Sequence, residues 1–288
     1  MLKYRLIFGT LMALTFIGLI VFDAWLDGSL LASTPDKDLQ GSILCVLVAV
    51  LTIPAIIELA GLIGRTGATV FKPLALVSSM LLATSWYWRQ FFSDPIGFHL
   101  YYLLFVSAFT VLLLFVYQAK CFKNAGVIRN CAGNLFAIFY LGFLSSFVLG
   151  VRIEFGIWPL FMFVAVIKCS DIGAYTTGKL FGKHKFSPSI SPGKTWEGMC
   201  GAVIFAAVIS VIFSLNCDIM PWWLAIVFGG VFAFAGQFGD LAESMLKRDA
   251  EQKDSSDKVP GFGGVLDILD SPLATAPLAY FFFTLLNK

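Results

Sequence analysis

Charge is what this sequence lacks. Only 13% of its 288 residues are Asp, Glu, Lys or Arg, against 58% hydrophobic, and the mean hydropathy is +0.85. Soluble domains carry about 25% charged residues. Half that share over this length leaves too little polar surface to cover a water-soluble fold. A soluble globular enzyme, a disordered chain and a disulfide-stapled secreted domain are excluded. A net charge of +2 gives no electrostatic footprint for nucleic acid. Histidine is scarce, at two residues, and the six cysteines (Cys45, Cys121, Cys131, Cys169, Cys200 and Cys217) form no Cys-x-x-Cys pair. That argues against a zinc or disulfide framework and for cysteines as small apolar packers. There is no repeat of fixed period and no low-complexity tract.

What is present is a series of long apolar runs, so the expected fold is an all-α polytopic integral membrane protein. A hydrocarbon core of roughly 30 Å needs about 20 apolar residues as helix. Nine runs qualify, at about 5–22, 42–63, 73–88, 98–118, 134–151, 155–171, 199–215, 220–238 and 272–286. The first continues past signal-peptide length into Asp23-Ala24-Trp25 and is read as a span. With the N-terminus inside, all 20 Lys and Arg except Lys37, Arg89, Arg152 and Lys288 fall on the cytoplasmic side, as the positive-inside rule requires. Trp25, Trp86, Trp88, Trp158, Trp222 and Trp223 then lie at outer helix ends and Trp196 alone on the inner side. A cysteine at Asp36 is expected to label from outside, and one at Asp257 is not.

The polar chemistry gathers in two inner segments, about 168–198 and 239–271. Eight of the 18 acidic residues fall between Asp240 and Asp270. A transporter would more often spread ionisable groups near the midplane of its spans. Here the one clear midspan carboxylate is Glu58, either a buried polar tie or a functional group. In the first segment, Asp171, Ala174, Tyr175 and Gly178 have i, i+3, i+4, i+7 spacing and share a face if the span continues as helix. Gly178 and Gly182 are expected to end that helix before Lys179, Lys183 and Lys185. Ser191-Pro192-Gly193-Lys194-Thr195-Trp196-Glu197-Gly198 follows. Gly193-Lys194-Thr195 is no Walker motif, because Pro188 stands where the leading glycine would be. Such a turn still offers backbone N–H groups and an ammonium to phosphate; a basic juxtamembrane loop is the competing reading.

In the second segment, Asp240, Glu243, Ser244 and Lys247 share a helical face, with Arg248 beside them. Lys253-Asp254 and Pro260-Gly261-Phe262-Gly263-Gly264 follow, the glycines allowing close backbone approach to phosphate. Helix then resumes with Asp267, Asp270 and Ser271. Oxygen ligands among lysines suggest Mg²⁺ carrying nucleotide phosphates.

Together these residues resemble the CDP-diacylglycerol synthase (phosphatidate cytidylyltransferase) family. Ser244-Met245-Leu246-Lys247-Arg248, Lys253-Asp254, Pro260-Gly261, Gly263-Gly264, Asp267 and Asp270 follow its C-terminal signature. Asp171-Ile172-Gly173-Ala174-Tyr175 with Gly178-Lys179 resembles its Asp-x-Gly-Ala-Tyr segment, and the 191–198 run its S-P-x-K-T-W-E-G. Phe262 stands where the family commonly has His and Ile268 where it has Arg, so no role of those residues is carried over. The resemblance implies CMP transfer from CTP to phosphatidic acid in phospholipid biosynthesis, with release of pyrophosphate.

It implies Asp240 and Asp267 as Mg²⁺ ligands, with a second ion that can be monovalent. Ser244, Lys247, Arg248 and Asp270 are the expected catalytic residues. Asp171, Tyr175, Lys179, Ser191, Gly193, Lys194, Lys253, Gly263 and Gly264 are the expected substrate-binding ones. Residues 1–130 would form N-terminal transmembrane helices and 131–288 the transmembrane catalytic region. The expected partners are CTP, phosphatidic acid and membrane lipids, with no nucleic acid; a homodimer is compatible with such a chain. The absence of a transit peptide points to a bacterial inner membrane. The alternatives are a CTP-dependent polyprenol- or phytol-type lipid kinase and, in a different class, a membrane transporter.

Overall fold

The computed structural model describes residues 2–30, 39–256 and 263–287. Asp36, Lys37, Asp257, Lys258, Pro260, Gly261, Phe262 and Lys288 lie outside the described residues. Backbone polar groups in hydrocarbon must be satisfied within the segment, which makes helix the outcome for apolar runs of this length. The helices are α1 (Leu2–Leu26), α2 (Ser42–Arg65), α3 (Lys72–Ala83), α4 (Ser85–Trp88), α5 (Pro95–Cys121), α6 (Val127–Ile138), α7 (Leu144–Phe155), α8 (Ile157–Phe181), α9 (Trp196–Cys217), α10 (Trp222–Asp249) and α11 (Leu266–Leu286). A π turn at Phe139–Phe143 joins α6 to α7. A two-stranded antiparallel hairpin, β1 (Lys185–Ser187) and β2 (Ser191–Thr195), lies between α8 and α9.

Among the described residues, eight helices are long and apolar enough to cross a membrane. The chain is an all-α polytopic membrane protein. The third sequence run differs from expectation: α3 has 12 residues, about 18 Å of helix, too short to cross alone. The chain continues through α4 and a 3₁₀ turn at Arg89–Phe91, and it returns to the level where α2 begins. There the Gln40 amide donates to Gln90 Oε1 (2.8 Å), Gln90 Nε2 donates to the Gln40 carbonyl (3.1 Å), and the Ser42 and Tyr87 hydroxyls meet at 3.1 Å.

Two apolar cores hold the bundle. One joins Ile20 and Leu44 to Phe163, Phe228 and Phe283; the other joins Ile56, Leu59 and Phe71 to Ile138 and Leu266. Both mix residues from either side of position 130, which itself lies inside α6. The cysteines divide: Cys45 and Cys131 are buried, but Cys121 and Cys200 are exposed.

Arg152, read from sequence as an outer-face charge, is fully buried at the tryptophan-rich end. Its Nε donates to Asp23 (3.1 Å), and its Nη2 to Asp27 (2.6 Å) and Ser29 (3.0 Å), tying α1 to α7. Removing one member of a buried ion pair costs about 3–5 kcal/mol, because the remaining charge is stranded. Arg152→Ala is therefore expected to lower the thermal unfolding midpoint in detergent markedly. Turnover per folded molecule should stay near wild type, since the cluster lies at the end of the bundle away from the cavity described next.

Candidate active site

The site forms where α8, α9, α10 and α11 meet, at the end away from most tryptophans. Helices α8 and α9 cross closely because both carry glycine there. A Cβ on Gly173 would lie 2.6 Å from the Gly201 carbonyl oxygen, and one on Gly198 would lie 2.9 Å from that of Ala174. This close packing corrects the expected helix break at Gly178: α8 runs through it to Phe181 and is capped by Gly182. Asp171 and Tyr175 thus stand on continuous helix. Gly193-Lys194-Thr195 is also not a turn. It belongs to β2, paired with β1, and Thr195 Oγ1 caps α9 by accepting the Gly198 amide (3.1 Å).

The hairpin lies across α10. Lys194 Nζ donates to the Gln237 carbonyl (2.9 Å) and pairs with Asp240 (2.7 Å). Arg248 Nε donates to the Ile190 carbonyl (3.3 Å), so this expected catalytic cation holds the hairpin turn. Trp196 packs edge-on against Phe186 of β1, which anchors the hairpin on α9.

Asp240 and Glu243 project from one face of α10, and Asp270 from α11. Gly239 permits the approach: a Cβ there would lie 2.8 Å from Ala274 Cβ. Oxygens of Asp240, Glu243 and Asp270 come within 4.8 Å of one another. Glu243 is fully buried; Lys247 Nζ donates to its Oε2 (2.8 Å), while its Oε1 has no hydrogen-bond partner among the described residues. Three gathered carboxylates and an orphaned buried oxygen fit a hard cation taking oxygen ligands. The site is thus an acidic cluster suited to a metal ion.

Asp267 is placed differently. Its Oδ1 accepts Lys247 Nζ (2.6 Å). Its Oδ2 accepts the Gly264 amide (2.6 Å), the Ser255 amide (3.1 Å) and the Ser255 hydroxyl (2.7 Å). Both oxygens are engaged, so ligation by Asp267 would require exchange of these partners. Gly263 adopts φ +94°, and side chains at Gly263 or Gly264 would run into Asp267 or into Ser255 and Glu58 respectively. These glycines make room for carboxylates.

A cavity of about 550 Å³ opens beside the cluster. It brings together Asp171, Tyr175, Lys179, Ser191, Gly193, Lys194, Asp240, Asp267 and Asp270 of the expected residues. Ser244 is half-buried on α10 and Lys253 is exposed; neither lines the cavity. Sequence reading missed Lys168 and Gln237, which do. Lys168 Nζ donates to the Ile268 carbonyl (2.9 Å) and lies 3.8 Å from Asp171, to which Gln237 Nε2 donates (3.3 Å). Both lie within apolar runs where one polar residue carries little signal, although each sits one turn from a motif carboxylate.

The fold and site define a multi-pass membrane protein whose cavity sets carboxylates against lysines at one end of the bundle. Comparison gives the family. The profile of the cytidylyltransferase family matches residues 3–286, and the chain belongs to that family. It is 36% identical over 185 residues to the phosphatidate cytidylyltransferase of Bacillus subtilis, covering 63% of this chain and 68% of that one. It is 38% identical over 165 residues to that of Haemophilus influenzae (52% and 57%) and 35% identical over 179 residues to that of Chlamydia muridarum (57% and 58%). The chain therefore spans between about half and two thirds of the length of these curated relatives.

Proposed function

We propose that this protein is a phosphatidate cytidylyltransferase of a bacterial inner membrane. The carrying observation is the cavity in which Lys194, Lys168 and Lys179 face Asp171, Asp240 and Asp270. The phosphate of phosphatidic acid attacks the α-phosphorus of CTP. The new P–O bond gives CDP-diacylglycerol, and the bond to the β-phosphate breaks, so pyrophosphate leaves with the electron pair. The phosphate nucleophile is already anionic at neutral pH, so no strong general base is needed; alignment and charge neutralisation dominate.

Asp240, Glu243 and Asp270 would hold Mg²⁺, and Asp267 would be the further ligand, for a second ion, on giving up its present partners. When bound there, the metal would supply Lewis-acid neutralisation of the triphosphate. Lys194 leaves Asp240 to contact the nucleotide phosphates, carried by the hairpin, with Ser191 and Gly193 lining their path. Lys168, Lys179 and Tyr175 bound the opposite wall. Lys247 ties Glu243 to Asp267 through its ammonium, while Ser244, Arg248 and Lys253 support the rim. In this reading residues 131–288 carry the chemistry and 1–130 brace it, with the N-terminus and site cytoplasmic and the C-terminus outside.

Purified protein given CTP, phosphatidic acid and Mg²⁺ should yield CDP-diacylglycerol by mass spectrometry, and none with ATP in place of CTP. Lys194→Ala should raise the KM for CTP about tenfold, the worth of a charge-assisted hydrogen bond, and leave that for phosphatidic acid within about twofold. Equal shifts in both would assign Lys194 to holding the hairpin. For sidedness, Asp218→Cys in a cysteine-free background should label from outside in intact cells, and Lys123→Cys should label only after permeabilisation.

A further inference from the structure

Glu58 is the sole acidic residue of α2 and lies seven residues before its end at Arg65, about 10 Å along the helix. It is buried. A carboxylate at that depth is costly unless it is hydrogen-bonded. Its partners come from the far end of the sequence. Oε2 accepts the backbone amide of Leu266 (2.9 Å), the first residue of α11, and the Ser255 hydroxyl (3.3 Å). The residue in the N-cap position of α11 is Val265, which makes no side-chain cap bond. The first amides of a helix need an acceptor. Glu58 supplies one from another helix.

The single Ser255 hydroxyl proton is shared with Asp267 Oδ2, the shorter contact at 2.7 Å, and Gly264 has no room for a side chain between Glu58 and Ser255. Glu58 and Asp267 thus both hold the entry to α11, Glu58 at the Leu266 amide and Asp267 at the Gly264 amide, and meet at Ser255. We infer that Glu58 is a positioning residue: it caps α11 in trans and so sets where Asp267 and Asp270 stand. For its kinetic consequence this rests on the proposed cytidylyl transfer. The cap itself does not.

The test uses the full-length protein in nanodiscs, with backbone amide exchange over residues 263–268 measured beside steady-state kinetics. Glu58→Ala should speed exchange there about tenfold, the effect of losing a helix cap. It should also lower kcat about tenfold or more, with KM for CTP changed less than about threefold. Glu58→Gln keeps a carbonyl acceptor and should restore both readouts to within about threefold of wild type. If Glu58→Ala does not fold, Gly264→Ala forces Glu58 and Leu266 apart from the loop side and should give the same local exchange increase. Unchanged exchange in Glu58→Ala, or in Gly264→Ala where that variant stands in, would overturn the inference. So would a Gln variant as impaired as the Ala variant, since charge and not the cap would then be the role. Should wild type transfer no CMP, the exchange arm still decides the cap, and only the proposed activity fails.

Discussion

Asp240→Asn is expected to lower kcat about a thousandfold, the scale of losing a charge that stabilises a transition state in a confined site. Asp240 is the carboxylate shared by two interactions: it lies in the cluster with Glu243 and Asp270, and it pairs with Lys194 at 2.7 Å. Asn preserves the shape and loses the charge a hard cation requires. It also frees Lys194, so the Asn variant should bind Mg²⁺ more weakly by titration calorimetry while folding normally. Asp94→Asn is the control. Asp94 caps α5 by accepting the Gly97 amide (3.0 Å), and Asn caps equally well, so activity and stability should hold. Near wild-type turnover of Asp240→Asn at saturating Mg²⁺ would move the active centre elsewhere, with Asp171 the next carboxylate on the cavity wall.

Asp267→Asn should also be severe, about a hundredfold in kcat, through a different cause. Asp267 spends its two oxygens on Lys247, the Ser255 amide and hydroxyl and the Gly264 amide. An Asn side chain has one acceptor oxygen and one donor nitrogen. Either orientation faces its N–H₂ to the Lys247 ammonium or to the loop donors. Unlike Asp240→Asn, this variant should show faster amide exchange across Gly264–Leu266. A variant inactive in turnover but unchanged in exchange would assign Asp267 to direct metal binding, the role the family resemblance implies.

The fold was legible from the apolar runs because a membrane span needs little beyond length and hydropathy. The interruption at Thr84 was not, since α3 and α4 form one apolar run and the break shows only in backbone bonding. Helical spacing placed Asp240, Glu243 and Lys247 on one face, and α10 carries them so. The hydrogen bonds of Asp267 to Ser255 and Gly264 escaped that reasoning because they come from a loop whose path no periodicity describes. Helix endings at Gly178 misled for a related reason. Glycine there serves a close crossing with α9, which a single sequence cannot show. Arg152 read as a surface charge because its partners Asp23 and Asp27 are more than a hundred residues away.

Cytidylyl transfer cleaves the nucleotide between its α and β phosphates and passes CMP to lipid. CTP labelled separately at the α- and γ-phosphorus, incubated with purified protein, phosphatidic acid and Mg²⁺, tests it most directly. The α-label should appear in the lipid fraction and the γ-label wholly in pyrophosphate. A γ-label in lipid with CDP released would mean a CTP-dependent lipid kinase, and no label in lipid from either would contradict the enzyme assignment itself.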